Sequence, residues 1–198
     1  MRIQQAAGLN GNRYATFHQL GKEQAQKLHE DDRLYDVGDT IFIGSTPLGN
    51  SSLSLYLREY HDNALSMYPA IGNVKEGRLP EEAIEIALSE DALQYLGLDA
   101  VIGDTVSLDL SVSVMDGSLS ELEYSADFVL TGILESSYIG YASGTVEGIV
   151  GEGTAEELLP EEYLLYSTDF KTYDKQNFQS IIYALAEDLN VDERYIQY

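Results

Sequence analysis

Apolar positions along this chain fall into two periods. Phe178, Ile181, Ile182, Leu185 and Leu189 recur at steps of three and four residues, which predicts an amphipathic helix that stops at Asn190 and that Asp174 is placed to cap. EEYLLYSTDF before it and ERYIQY after it have strand character, so this end reads β, α, β. The other end reads the same way. Asn12 to Leu20 (NRYATFHQL) alternates as a strand does, GKEQAQKLHE sets Ala25 and Leu28 on one helical face behind a Gly21 cap, and RLYDVGDTIFIG returns to strand through Val37, Ile41 and Ile43.

Two β-α-β units bracketing a long middle predict an α+β fold of two lobes. The first is a split, ferredoxin-like β-α-β/β-α-β lobe of the porter type, formed by residues 10–61 and 161–198. The second, residues 62–160, is an inserted β-rich lobe carrying one short helix. In this insertion Ile84, Ile86 and Leu88 alternate along a strand, and Ser89 caps a helix with Glu90 and Asp91 in its first turn and Gly97 at its end. Ile102-Gly103-Asp104-Thr105 turns into TVSLDLSVSV, and Met115-Asp116-Gly117-Ser118 is a hairpin turn leading to LEYSADFVLTGIL, the longest strand. YIGYASGTVEGIVGEGTAEELLP holds no sustained period and reads as a long loop with at most short strands.

Composition narrows what such a fold does. Thirty-four acidic residues against eleven basic ones give a net charge of −23, which repels nucleic-acid phosphates and anionic lipid headgroups. Nucleic acid is therefore excluded as a partner, while the same charge would attract cationic peptides or divalent cations; the preferred reading is that the acidic side chains simply keep an exposed protein soluble. The chain has no cysteine, so disulfides, thiolate catalysis and cysteine-ligated metals are excluded. No run approaches the roughly 20 apolar residues of a membrane span.

The residues that chemistry would need are scattered. His18 falls in a strand, His29 at a helix end and His61 beside Asp62 at a strand exit, and no two share the spacing of a helical metal site. GNSSLSL lacks the flanking glycines of a nucleophilic serine turn. Gly148, Gly151 and Gly153 stand in the wrong order for a dinucleotide cradle, and Glu152, Glu156 and Glu157 would repel phosphate. Asp31, Asp32, Asp36 and Asp39 leave two readings open, calcium ligands or a solvated acidic turn. The second is preferred, because the glycine and distal glutamate of an EF-hand loop are missing. Tyrosines 56, 60, 68, 138, 141, 163, 166, 173, 195 and 198 suit a contact surface or core and rim packing equally. No catalytic, cofactor or metal residue is assigned.

GRLPEEAIEIALSEDALQYLGLDAVIGDTVSLDL, followed after a hairpin by ADFVLTGILESS, resembles the extracytoplasmic core domain of MacB/FtsX-like ABC transporter permeases. The matching positions are Gly77, Pro80, Glu85, Ile86, Ser89, Leu96, Gly103, Asp104, Val106, Phe128, Val129, Gly132 and Ile133. RYATFHQLGKEQAQKL and RLYDVG are similar to the strand and helix that follow the first membrane helix in that family, whereas residues 138–153 have no counterpart.

The resemblance implies a non-catalytic domain on the outer face of a bacterial cell membrane, held between two permease helices that would lie beside Met1 and Tyr198. It implies a cytoplasmic ATPase partner that hydrolyses ATP, a second permease copy or paralogue in a dimer, and work on peptide, lipid or lipoprotein cargo. Export of a cationic antimicrobial peptide would suit the acidic surface. Family-motif residues Gly77, Pro80, Glu85, Ile86, Ser89, Gly103, Asp104 and Gly132 are then expected to be structural, with no cofactor required. Two rivals remain: a secreted or surface-anchored binding module with no transporter, and an acid-assisted hydrolase, which requires two carboxylates facing one pocket with perturbed acidities.

Overall fold

The computed structural model describes residues 14–116, 118–136 and 142–198. Asn12 and Arg13 of the first expected strand, Gly117 of the hairpin turn, and Tyr138 and Tyr141 lie outside the described residues. The chain divides into two units. One comprises residues up to Ile41 together with Tyr60–Pro69 and Leu164–Tyr198; the other comprises Phe42–Glu59 and Ala70–Tyr163. Residues 42–59, expected in the first lobe, thus group with the insertion.

The first unit is built from β1 (Ala15–Leu20), α1 (Lys22–His29), the leading part of β2 (Leu34–Pro47), β9 (Tyr166–Thr172), α4 (Phe178–Leu189) and β10 (Ile196–Gln197). Their order across the sheet is β10-β1-β9-β2, every neighbouring pair antiparallel. In lobe order this is 4-1-3-2, the ferredoxin-like arrangement of two β-α-β units. In the paired register Leu34 opposes Thr172 and Ile41 opposes Tyr166, so β2 and β9 are the arms of a hairpin opened by the insertion.

The stripe on α4 buries Phe178, Ile182, Leu185 and Leu189, and α1 buries Ala25 and Leu28. Phe17 and Phe170 meet edge to face, centroids 5.0 Å apart, and neither is exposed to solvent. Alternation turns Thr16 and Asp169 to the opposite face, where they are buried. Ala64–Met67, a 3₁₀ turn the sequence did not announce, covers that face: a Cβ on Gly38 would lie 2.4 Å from the Ala64 nitrogen.

The second unit has strand order β3-β8-β5-β7-β4, from β3 (Ser54–Tyr60), β8 (Thr145–Val150), β5 (Glu85–Ser89), β7 (Ser118–Leu134) and β4 (Val74–Gly77). β6 (Thr105–Asp116) forms the long hairpin with β7, and α2 (Glu90–Tyr95) follows β5 behind a Ser89 cap that accepts from the Ala92 amide at 3.2 Å.

Four expectations are corrected here. The stretch read as a long loop holds one of the short strands it was allowed, β8, but that strand is central and parallel to β3, and an unexpected helix, α3 (Thr154–Leu158), follows it. EEYLLYSTDF becomes strand only at Tyr166, because Glu161–Tyr163 form a 3₁₀ turn behind Pro160. Ile84 does not lead the strand: it holds φ 68°, a left-handed backbone rarely adopted by a β-branched residue. Its carbonyl takes the Val129 amide and its amide gives to the Thr154 hydroxyl, and these two bonds over-determine the strained conformation. Asp174 accepts from the Gln176 and Asn177 amides, a turn before α4, whose cap position is Asn177.

Candidate functional site

The motif residues gather around the junction of β4, β5 and β7. Gly77 and Gly132 are register partners, and each is a place where backbone meets backbone. A Cβ on Gly77 would lie 2.2 Å from the Thr131 carbonyl oxygen, and one on Gly132 would lie 2.3 Å from that of Arg78. No side chain fits either position. The segment after Gly77, which includes Pro80, is fastened by Glu85. Its carboxylate pairs with the Arg78 guanidinium at 2.6 and 3.0 Å and accepts the Glu81 and Glu82 amides at 2.9 Å each. The guanidinium, helped by the two amides, holds Glu85 down at about 2.

Ile86 is fully buried behind this clamp. Asp104 closes the turn before β6 by accepting the Val101 amide at 3.0 Å, while the Gly103 amide gives to Leu130 at 2.8 Å. Thus seven of the eight motif residues are held in backbone contacts, caps or core, and Pro80 sits in the loop that Glu85 clamps.

The buried carboxylates are occupied in the same manner. Asp169 accepts from the Thr16 hydroxyl and, at 2.7 Å, from Tyr68. Glu59 accepts the Ala155 amide at 2.8 Å, at the start of α3. That helix start follows the glycine-rich stretch, so the protein's own carboxylate fills the position a phosphate would need. Gly151 there is a close approach, since its Cβ would overlap the Glu82 carbonyl at 1.8 Å.

An open groove of about 480 Å³ runs along the second unit, lined by Ser45, Thr46, Ser111, Tyr124, Asp109 and Glu123 among others. Tyr124 spans it, donating its hydroxyl to the Ile43 carbonyl, and burial pushes that phenol well above the ordinary range. Asp109 and Glu123 share the groove, which is the geometric part of what the hydrolase reading requires. Yet Asp109 accepts from Ser125 at 2.5 Å, and Ser107 gives to Asp127 at 2.6 Å one rung along. This repeating serine-to-aspartate ladder is the solvated face of a hairpin.

The acidic quartet does not assemble. Asp31 pairs with Arg33 at 2.8 Å, Asp36 with Lys171 at 3.1 Å, and Asp32 is exposed, so no common calcium site forms from the four. Asp39 instead meets a histidine: His29 Nε2 is 2.9 Å from Asp39 Oδ2 and 3.9 Å from Asp62 Oδ2, and this trio can hold a metal. Nothing in local spacing signals it, because the three side chains come from α1, β2 and the turn after β3. His18 ties β1 to β9 and β10 through Ser167 at 2.8 Å and Gln197 at 3.1 Å, and the His61 amide gives to the Asp39 carbonyl.

The described tyrosines divide between buried and exposed positions. Tyr68 and Tyr166 are buried, while Tyr173 stacks on Tyr35 in the open and Tyr198 meets Tyr183 hydroxyl to hydroxyl at 2.8 Å. Among the described residues no helix is long and apolar enough to cross a membrane.

No protein-family model and no curated protein sequence matches the chain. Among solved structures it is similar to the periplasmic region of MacB from Actinobacillus actinomycetemcomitans. That match covers 89% of this chain and 82% of the other, with a TM-score of 0.54 and 15% sequence identity. The likeness is one of fold, and it is the fold that the motif in residues 77–133 led us to expect.

Proposed function

We propose that this chain is the extracytoplasmic domain of a bacterial ABC transporter permease, without chemistry of its own. It would work with a cytoplasmic ATPase and a second permease copy or paralogue, relaying ATP-driven movement and offering surface to peptide, lipid or lipoprotein cargo. The observation behind this reading is the fold likeness to a periplasmic transporter region along most of both chains. The clamped motif supports it, because a relay requires stiff units more than reactive groups. With thirty-four acidic residues against eleven basic ones, a cationic peptide is the cargo class that electrostatics favours.

Sidedness is the first test. The chain has no cysteine, so a single Val101→Cys change, at a position 63% exposed, gives a thiol unique within this domain, and in the full-length permease the proposal implies any cysteine elsewhere is first replaced by serine. A thiol reagent that cannot cross the cytoplasmic membrane should label it in intact cells, after outer-membrane permeabilisation where one exists. Labelling only after the cytoplasmic membrane is broken would refute the proposal.

A further inference from the structure

Within the first unit, His29 closes α1, Asp39 lies in β2 and Asp62 stands in the turn after β3. Their ligand atoms all lie within 4.8 Å of one another. We propose that this trio is a divalent transition-metal site of the zinc class, binding through His29 Nε2 and one oxygen of each aspartate, with water completing the coordination.

The distances suit such an ion. Metal bonds of about 2.0–2.2 Å set neighbouring ligand atoms roughly 3 to 4 Å apart. His29 Nε2 is 2.9 Å from one carboxylate oxygen and 3.9 Å from the other, and a small rotation of the exposed Asp62 side chain completes the set. Asp39 is already oriented. It is nine-tenths buried, and its second oxygen, Oδ1, takes the Thr168 hydroxyl at 2.6 Å, which directs Oδ2 at the imidazole. A ligand held from behind by a second hydrogen bond is the usual arrangement of a metal shell.

Charge points the same way. Two carboxylates share one imidazole, so the trio is anionic with the ring neutral and remains so, by one unit, with the ring protonated. His29 also ends α1, where the helix dipole adds partial negative charge. A dication therefore replaces a single shared proton with full neutralisation. The imidazole nitrogen and the small number of donors favour zinc over calcium, which takes six to eight oxygens. Bound metal would tether the turn after β3 to α1 and β2, fixing Tyr60–Pro69 on its sheet.

The test is calorimetric titration of the chelator-stripped protein with zinc chloride, with calcium chloride in parallel. We expect saturation at one zinc per chain, with no matching calcium isotherm. His29→Gln and Asp62→Asn should each weaken zinc at least about tenfold, while Glu123→Gln in the second unit leaves it unchanged. Asp62→Asn is designed to keep the fold: the residue is exposed and sits at φ 54°, which asparagine adopts as readily as aspartate. Unliganded melting curves matching the parent establish that the fold is kept. Absence of saturable zinc binding, or zinc binding that neither variant weakens, would overturn the site.

Discussion

Arg78 and Glu85 are joined by two hydrogen bonds, Nη2 to Oε2 at 2.6 Å and Nη1 to Oε1 at 3.0 Å, across a segment that Glu85 also fastens through two backbone amides. Glu85→Gln at neutral pH is expected to lower stability by about 1–2 kcal/mol, the lower part of the charged hydrogen-bond range, because Arg78 is half exposed and its ion pair is screened. The pH dependence follows from the depressed acidity. Glu85 is held at about 2 against an ordinary 4.5, so its contribution is complete above 4.5 and is lost as pH falls toward 2. Urea unfolding of the two proteins should show a gap that closes over that window; a constant gap would mean that Glu85 acts through its shape alone.

Gly132 and Gly103 should respond to alanine differently. At Gly132 the added carbon meets the Arg78 carbonyl oxygen at 2.3 Å, and the Ala87 Cβ at 3.4 Å leaves it little room to move away. We expect a loss of about 3 kcal/mol or more. At Gly103 nothing lies within 4 Å, and φ 97° is the sole obstacle, so Gly103→Ala should cost about 1–2 kcal/mol. Thermal melts of the two variants rank them; equal losses would contradict the close approach of β4 to β7.

Tyr68→Phe removes one hydroxyl donor from Asp169, whose side chain is fully buried. The expected cost is about 1–3 kcal/mol. Hydrogen exchange should quicken first in Tyr60–Pro69, the segment Tyr68 helps hold, and uniform quickening across the first unit would argue against a local role.

Much of this architecture was legible in the sequence, for identifiable reasons. The stripe on α4 and the two β-α-β patterns are periodic over enough residues to specify element type, and together they imply the 4-1-3-2 sheet. β8 was not legible. Gly148 breaks its pattern, and glycine stands there because Leu57 and Leu88 side chains occupy the space a Cβ would need, at 2.6 and 2.8 Å. A strand whose packing partners are 91 and 60 residues away shows no sign of them locally. The same holds for His29, Asp39 and Asp62: each was visible as a residue, and the trio exists only once α1, β2 and the return segment have been folded together. The motif around Gly132 was recognisable because backbone contact tolerates so few residues.

The most direct test of the proposed relay is a distance measured in the full-length permease that the proposal implies, reconstituted with the ATPase it would work with. With any cysteine outside this domain replaced, a spin label at Val101→Cys would report the separation of the two proposed copies by pulsed electron paramagnetic resonance. The account predicts that this separation differs between the nucleotide-free and ATP-trapped states. An identical distance distribution in both, with the ATPase bound and active, would contradict it.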